Sequence, residues 1–139
     1  MGILNLTPDS FFEGNSLLYN KSNDKLIEKF KYADIIDIGA ESSRPGSLDI
    51  STNEEILRLS SLKNIKIKGK ILSIDSYKPK IIEYALNNGF NMINDITGGG
   101  KDYSNIRIAK KYNVPIVLMH MQGIPKNMQE KPYYKNIID

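Results

Sequence analysis

The stretch Asp34-Ile35-Ile36-Asp37-Ile38-Gly39-Ala40-Glu41-Ser42-Ser43-Arg44-Pro45-Gly46 decides the fold. Its first part, Asp34–Ile38, is a short continuous apolar run, the pattern of a strand covered on both faces. Its second part turns polar and closes on Pro45-Gly46, a turn signal. Working outward, the same pattern recurs. Gly2–Leu4, Lys70–Ile74, Phe90–Ile93 and Val114–Met119 are further apolar runs of strand length, each followed by a polar loop.

Helix signals fill the intervals. Asp24–Tyr32 carries Asn23 or Asp24 as a cap and puts Ile27 and Phe30 on one face. Glu54–Leu62 follows two overlapping capping boxes, Ser51…Glu54 and Thr52…Glu55. Pro79–Asn88 opens with proline in its first turn and stops at Gly89. Tyr103–Tyr112 turns Ile106, Ala109 and Tyr112 inward, and Tyr133–Asp139 reads as the start of another helix. Strict alternation of strand and helix predicts an α/β fold with parallel strands and right-handed crossovers. An open doubly wound sheet and part of an eight-fold barrel both fit. No Gly-x-Gly-x-x-Gly follows the first strand, which argues against a dinucleotide-binding sheet.

Composition narrows the function. The chain has 139 residues, 40% hydrophobic and 25% charged, with a net charge of +3. These are values of a folded globular chain. No apolar run reaches the roughly 18 residues of a membrane span. The lysines are scattered rather than striped, so neither nucleic acid nor a membrane is expected as a partner. With no cysteine, disulfides, thiolate metal sites and a cysteine nucleophile are excluded. The first residues lack the pattern of a signal peptide, so the cytoplasm is the expected compartment. Arginine is rare, with Arg44, Arg58 and Arg107 against sixteen lysines. Arg44 sits in the deciding loop, where a planar fork suits a planar or phosphate ligand.

All five predicted strands run out into hydrogen-bonding residues: Asn5, then Gly39–Arg44, Asp75-Ser76, Asn94-Asp95 and His120–Gln122. In a βα barrel the carboxyl ends of the strands form the face that builds active sites.

These residues carry a resemblance. Met1–Phe11, with Asn5-Leu6-Thr7-Pro8-Asp9-Ser10-Phe11, resembles the opening motif of dihydropteroate synthases. Asp37–Gly46 is similar to that family's second signature. Ser73–Ser76, Ile93–Ile96 and Leu118–Gly123 resemble its later landmarks in the same order and spacing. The resemblance covers the whole chain. It implies a (β/α)8 TIM barrel of the pterin-binding type, with about five βα units in a partial domain over residues 1–139. It also implies a reaction that joins 6-hydroxymethyl-7,8-dihydropterin pyrophosphate to p-aminobenzoate and releases pyrophosphate, with the whole protein working as a homodimer.

What the resemblance implies for single residues follows the chemistry. Asn5 becomes a ligand of the Mg²⁺ that accompanies the pyrophosphate, since an amide oxygen is a hard donor. Arg44 forks onto phosphate oxygens or orders its loop, and Pro45 sets the turn that aims it. Asp75 and Asn94 read the pterin edge, a carboxylate accepting and an amide doing both. Ile96 and Met119 pack on the flat faces of the ring. Phe11 covers the aminobenzoate ring, and Asp9 orders the charged site. Ser43 stands where the family more usually has threonine. It keeps a hydroxyl toward p-aminobenzoate and leaves the response to sulfonamides open.

Other residues read as structural. His120, the single histidine, is expected to be satisfied by local hydrogen bonds. Gly98-Gly99-Gly100-Lys101 lacks P-loop spacing and is expected to be a flexible turn. The family's Asp-Pro-Gly…Gly-Phe-Gly-Lys, Ser-Arg-Lys and Arg-Val-His-Asp landmarks are not in the sequence. The chain therefore reads as an N-terminal part, and a five-stranded piece with exposed edges and an uncovered apolar inner face is expected to be unstable alone. Two other readings stand beside the synthase: a methyltetrahydrofolate-dependent methyltransferase of related fold, and a pterin-binding remnant without catalysis.

Overall fold

The computed structural model describes residues 1–7, 28–42, 49–62, 69–122 and 131–136. Five strands form one parallel sheet in chain order: β1 (Gly2–Asn5), β2 (Ile35–Gly39), β3 (Ile71–Asp75), β4 (Met92–Asp95) and β5 (Ile116–Leu118). All five expected strands are present. The first four end one or two residues later than their apolar runs suggest, because the residues that follow still pair with the neighbouring strand.

Three α-helices are described, α1 (Thr52–Ser60), α2 (Pro79–Asn87) and α3 (Ser104–Tyr112), the last preceded by a short 3-10 turn, Lys101–Tyr103. Helix α1 starts where the first capping box predicts, with Ser51 Oγ accepting from the Glu54 N–H at 3.2 Å. The second box does not form, since Glu55 is fully buried and faces inward. Helix α2 has Pro79 in its first turn and stops at Gly89, whose φ of +94° suits a residue without a Cβ. The first expected helix lies mainly outside the described residues; its described part is helical at Glu28 and Lys29 and turns from Phe30 onward. The expected helix from Tyr133 does not form over 133–136, which is extended or bent, and the rest of it lies outside the described residues. Gln122 explains this: its side chain donates to the Tyr133 carbonyl at 2.6 Å and accepts from the Tyr133 N–H at 3.0 Å, holding the backbone extended.

Alternation along the strands divides the sheet into two faces. One face carries Leu4, Ile36, Ile38, Ile74 and Ile93, all buried, and the helices pack on it. Ile81, Ile82, Ala85 and Leu86 of α2 meet it, with Leu59 and Leu62 before them and Ala109 after. Each large aliphatic side chain buried there contributes about 1.5–3 kcal/mol.

The other face, expected to be the apolar inner face of the barrel, is mixed. It carries Asn5, Asp37, Ser73, Asp75 and Asn94 together with Ile3, Ile71, Met92 and Val117. Burial is also uneven. The flanking strands leave Ile3 65% and Val117 42% exposed, whereas Asp37 and Ser73 at the centre are buried. The two-sided burial expected of every strand therefore holds for β2 and fails for β1 and β5. No described helix is long and apolar enough to cross a membrane.

Candidate active site

Parallel pairing lines up residues from successive strands. Asn5 pairs with Gly39, Gly39 with Asp75, Asp75 with Asn94, and Asn94 with Val117. Asn5, Asp75 and Asn94 therefore share one register row at the carboxyl end of the sheet, on the face away from the helices. Gly39 lies between Asn5 and Asp75 and has no side chain to separate them. A Cβ built at Gly39 would stand 3.2 Å from Asp75 Oδ2 and 3.7 Å from Asn5 Oδ1.

Two residues lower, on the same face, lies a second polar row, Asp37 beside Ser73. Asn94 Nδ2 donates to Asp37 Oδ2 at 2.9 Å, linking the two rows across β3. Asp37 Oδ1 and Ser73 Oγ are buried and have no hydrogen-bond partner among the described residues. Asp75 accepts no hydrogen bond from a described side chain and does not cap α2, the structural role open to it. Lys78 is the cap residue there, and Ser76 Oγ accepts from its N–H at 3.3 Å. Burial, aided by the nearby charges of Asp37 and Glu55, pushes the Asp75 carboxyl up to about 6. Buried acceptors without donors are costly in a folded protein and mark where a donor-bearing ligand fits.

Beside this row stands an ionic cluster that sequence reading missed. Lys78 Nζ lies 2.9 Å from Glu41 Oε1, 3.1 Å from Glu55 Oε2 and 2.7 Å from the Ile50 carbonyl oxygen. Ile50 N–H donates to Glu41 Oε1 at 2.8 Å, and Ser76 Oγ donates to Glu55 Oε1 at 2.9 Å. Arg58 Nη1 donates to the Ala40 carbonyl at 2.9 Å. Burial raises the Glu55 carboxyl despite Lys78. Burial alone would lower Lys78, but its bonds to Glu41 and Glu55 outweigh that and raise it. These contacts tie together Ala40, Glu41 and Ile50, the chain on either side of residues 43–48.

Of the residues singled out from sequence, Asn5, Asp75 and Asn94 come together. Ile96 and Met119 directly follow β4 and β5 and are half-buried, and Met119 N–H continues the ladder to the Asp95 carbonyl at 2.9 Å. Asp9, Phe11, Ser43, Arg44 and Pro45 lie outside the described residues. His120 corrects its expectation. It is exposed, has no hydrogen bond to a described residue and makes an aromatic contact, with its ring 5.4 Å from Tyr134. The glycine turn is also tighter than expected. Asp95 Oδ1 accepts from the Thr97 N–H and hydroxyl, at 2.7 and 2.6 Å, and Oδ2 accepts from the Gly99 N–H and Asn105 Nδ2, at 3.0 and 2.8 Å.

Asp37 is a functional candidate that only the structure brings forward. Its signal was a charge in the middle of the Ile35–Ile38 run, which a strand tolerates only when one face is polar. Lys78 and Glu55 gave no comparable signal, because a lysine before a proline and a glutamate in a first turn are ordinary surface residues.

A parallel sheet with helices on one face and a polar row at its carboxyl ends defines the class of βα-barrel proteins that build their sites on that end. The profile of the pterin binding enzyme family matches residues 1–139, and the chain belongs to that family. It is 42% identical over 146 residues to the dihydropteroate synthase of Clostridium beijerinckii, covering 100% of this chain and 51% of that protein. The dihydropteroate synthase of Yersinia pestis, solved with a sulfonamide drug complex, superposes with a TM-score of 0.77 at 36% identity. That match covers 99% of this chain and 51% of the other. The Burkholderia cenocepacia enzyme, solved with 7,8-dihydropteroate, gives 0.72 at 34% identity, with 99% and 47% covered. The chain thus spans about half the length of these bacterial synthases, and 28% of the Arabidopsis thaliana folate synthesis bifunctional protein. The neighbours also settle the architecture: the five-stranded parallel sheet and its helices are part of a TIM barrel rather than an open doubly wound sheet.

Proposed function

We propose that this chain provides the pterin-binding wall of a dihydropteroate synthase. The observation that carries the reading is the row of Asn5, Asp75 and Asn94, set by strand register at one end of the sheet. A pterin edge offers ring N–H and NH₂ donors beside acceptor atoms. Asp75 supplies an acceptor and Asn94 supplies both kinds, on adjacent strands. In the reaction the amine nitrogen of p-aminobenzoate forms a C–N bond to the pterin methylene carbon. The C–O bond to pyrophosphate breaks, and the amine gives up a proton. The chain's own residues hold the ring still while this happens, so that the two reactants meet in one geometry.

Arg44 is the proposed fork for the phosphate oxygens, with Pro45 aiming it. Ser43 and Phe11 are the proposed contacts of p-aminobenzoate, and Asp9 is the proposed ordering residue. Ile96 and Met119 are proposed to cover the faces of the ring.

Mg²⁺ fits the donor set. No group of three His, Cys, Asp or Glu among the described residues is arranged to cage an ion. A single amide oxygen suits an ion that keeps waters and substrate phosphates as most of its ligands. Asn5 would hold it, and when bound it would offset charge growing on the departing pyrophosphate.

The test uses the protein at its natural full length. Pyrophosphate release from 6-hydroxymethyl-7,8-dihydropterin pyrophosphate should require p-aminobenzoate, and Asp75→Ala and Asn94→Ala should each reduce it at least about tenfold, the loss of one good hydrogen bond to a charged group. Release independent of p-aminobenzoate, or methyl transfer from methyltetrahydrofolate, overturns the reading.

A further inference from the structure

Resting on that reading, we propose that Asp37 is a positioning residue that fixes the side-chain amide of Asn94 in one of its two orientations and so sets which hydrogen bonds Asn94 offers to the pterin.

An asparagine side chain is nearly symmetric in shape but not in chemistry. Turned one way it presents C=O to a ligand, and turned the other way it presents NH₂. Nothing in the backbone of β4 chooses between the two, so a neighbour must. Asp37 is that neighbour. It is an acceptor on both oxygens, and its Oδ2 lies 2.9 Å from Asn94 Nδ2. The reversed amide would face carbonyl oxygen to carboxylate oxygen, a repulsive contact in a site where Asp37 is only 5% exposed. With one N–H committed to Asp37, Asn94 keeps its Oδ1 and its second N–H for the ligand.

A purely structural role for Asp37 does not account for its surroundings. On the face the helices cover, Asp95 has both of its oxygens satisfied. Asp37 Oδ1 is buried with no partner among the described residues, and so is Ser73 Oγ beside it in the register. The bond to Asn94 spans 57 positions of sequence and crosses β3, which carries Asp75. It joins the second polar row to the row that carries the proposed ligand contacts.

The test is a double-mutant cycle in the full-length protein, with 6-hydroxymethylpterin as the probe. Asp37→Asn keeps the shape but can pair with Asn94 in either orientation. It should weaken pterin binding at least about tenfold, raise KM for the pterin substrate more than it lowers kcat, and have little further effect once Asn94→Ala is present. Equal binding by wild type and Asp37→Asn, or effects that add in the double variant, overturns the inference while leaving the synthase reading intact. A wild type that binds no pterin overturns both. Should Asp37→Asn not fold, the wild type alone still decides by NMR. One Asn94 amide proton should be shifted downfield and held before ligand is added, and the other should move on addition of pterin. Two equivalent, freely exchanging protons overturn the proposal.

Discussion

Two aspartates near the carboxyl ends of adjacent strands have opposite fates. Asp95, the last residue of β4, uses both carboxylate oxygens four times over, to Thr97, Gly99 and Asn105. Asp75, the last residue of β3, has no side-chain donor among the described residues and is pushed up to about 6. Both lie in the same sheet and both are inaccessible for the most part. The difference is the face. Asp95 points to the side the helices cover, where the Gly98–Gly100 turn supplies donors. Asp75 points to the other side, between Asn5, Asp37 and Asn94. The satisfied carboxylate of Asp95 belongs to the scaffold, and that of Asp75, with no described side-chain donor, is the one proposed to meet a ligand.

The largest effect expected from this contrast is at Asp95. Asp95→Ala removes four hydrogen bonds to a buried carboxylate and strands the Gly99 N–H and Asn105 amide. Loss of about 3–5 kcal/mol in urea unfolding is expected, the scale of a broken buried network. A loss under about 1 kcal/mol would erase the distinction between the two aspartates.

Next comes Lys78→Met. Glu55 is fully buried and raised by that burial, and Lys78 is its counter-ion at 3.1 Å. Removing the lysine leaves an uncompensated buried charge at a cost of about 3 kcal/mol. Lys78→Met with Glu55→Met should recover most of it, because two packed apolar chains replace the pair without the orphan. If the double variant is no better than the single one, the damage lies at Glu41 and Ile50 instead, the other partners of Lys78.

These two clusters also show how far the sequence could be read. The strands, the positions of α1, α2 and α3, and the row of Asn5, Asp75 and Asn94 were legible because each rests on local pattern: an apolar run, a cap, a polar residue one step beyond a strand. Asp37 was half-legible, as a charge inside an apolar run. Lys78, Glu55 and Glu41 were not legible, since their meaning comes from contacts 21 and 37 positions apart that no local pattern encodes. The open face misled for a related reason. The continuous apolar runs gave the expectation of an apolar inner face, and only register shows that polar side chains alternate onto it.

Asp75 should respond in the opposite sense to Asp95. Its folded carboxyl titrates above the ordinary value of 3.8, near 6. The folded state therefore holds its proton more tightly than the unfolded chain does. The stability this gives is complete below about 3.8 and is lost as pH rises through about 6. At pH 7 the ionised group costs the fold about 1–3 kcal/mol, with Asp37 and Glu55 the charges that face it. Asp75→Asn should thus stabilise at pH 7, by about 1–2 kcal/mol, and lose that advantage near pH 4, while pterin binding falls. In the wild type, pterin affinity should drop as pH is lowered through about 6, as the acceptor becomes protonated. A variant less stable than wild type at pH 7 would contradict the uncompensated charge.

The smallest effect sharpens the contrast most, because it changes one methyl group. A Cβ at Gly39 would stand 3.2 Å from Asp75 Oδ2 and 3.5 Å from Asp75 Cβ, and no positive φ is demanded there. Gly39→Ala should change stability by less than about 1 kcal/mol, since a strand residue gains propensity while its neighbour shifts a few tenths of an ångström. The corresponding change in the other cluster is Gly100→Ala. There φ is +77°, and the new Cβ would stand 2.7 Å from Ser104 Oγ and 2.8 Å from Asn105 Nδ2. That change should cost at least about 2 kcal/mol, from backbone strain and the displaced Asn105 together. Pterin binding should reverse the order. Gly39→Ala fills the gap between Asn5 and Asp75 and should weaken binding, while whatever Gly100→Ala population stays folded should bind as wild type does. Binding that follows stability in both variants would mean the two faces are one structural unit, and the division of labour between Asp75 and Asp95 would fall with it.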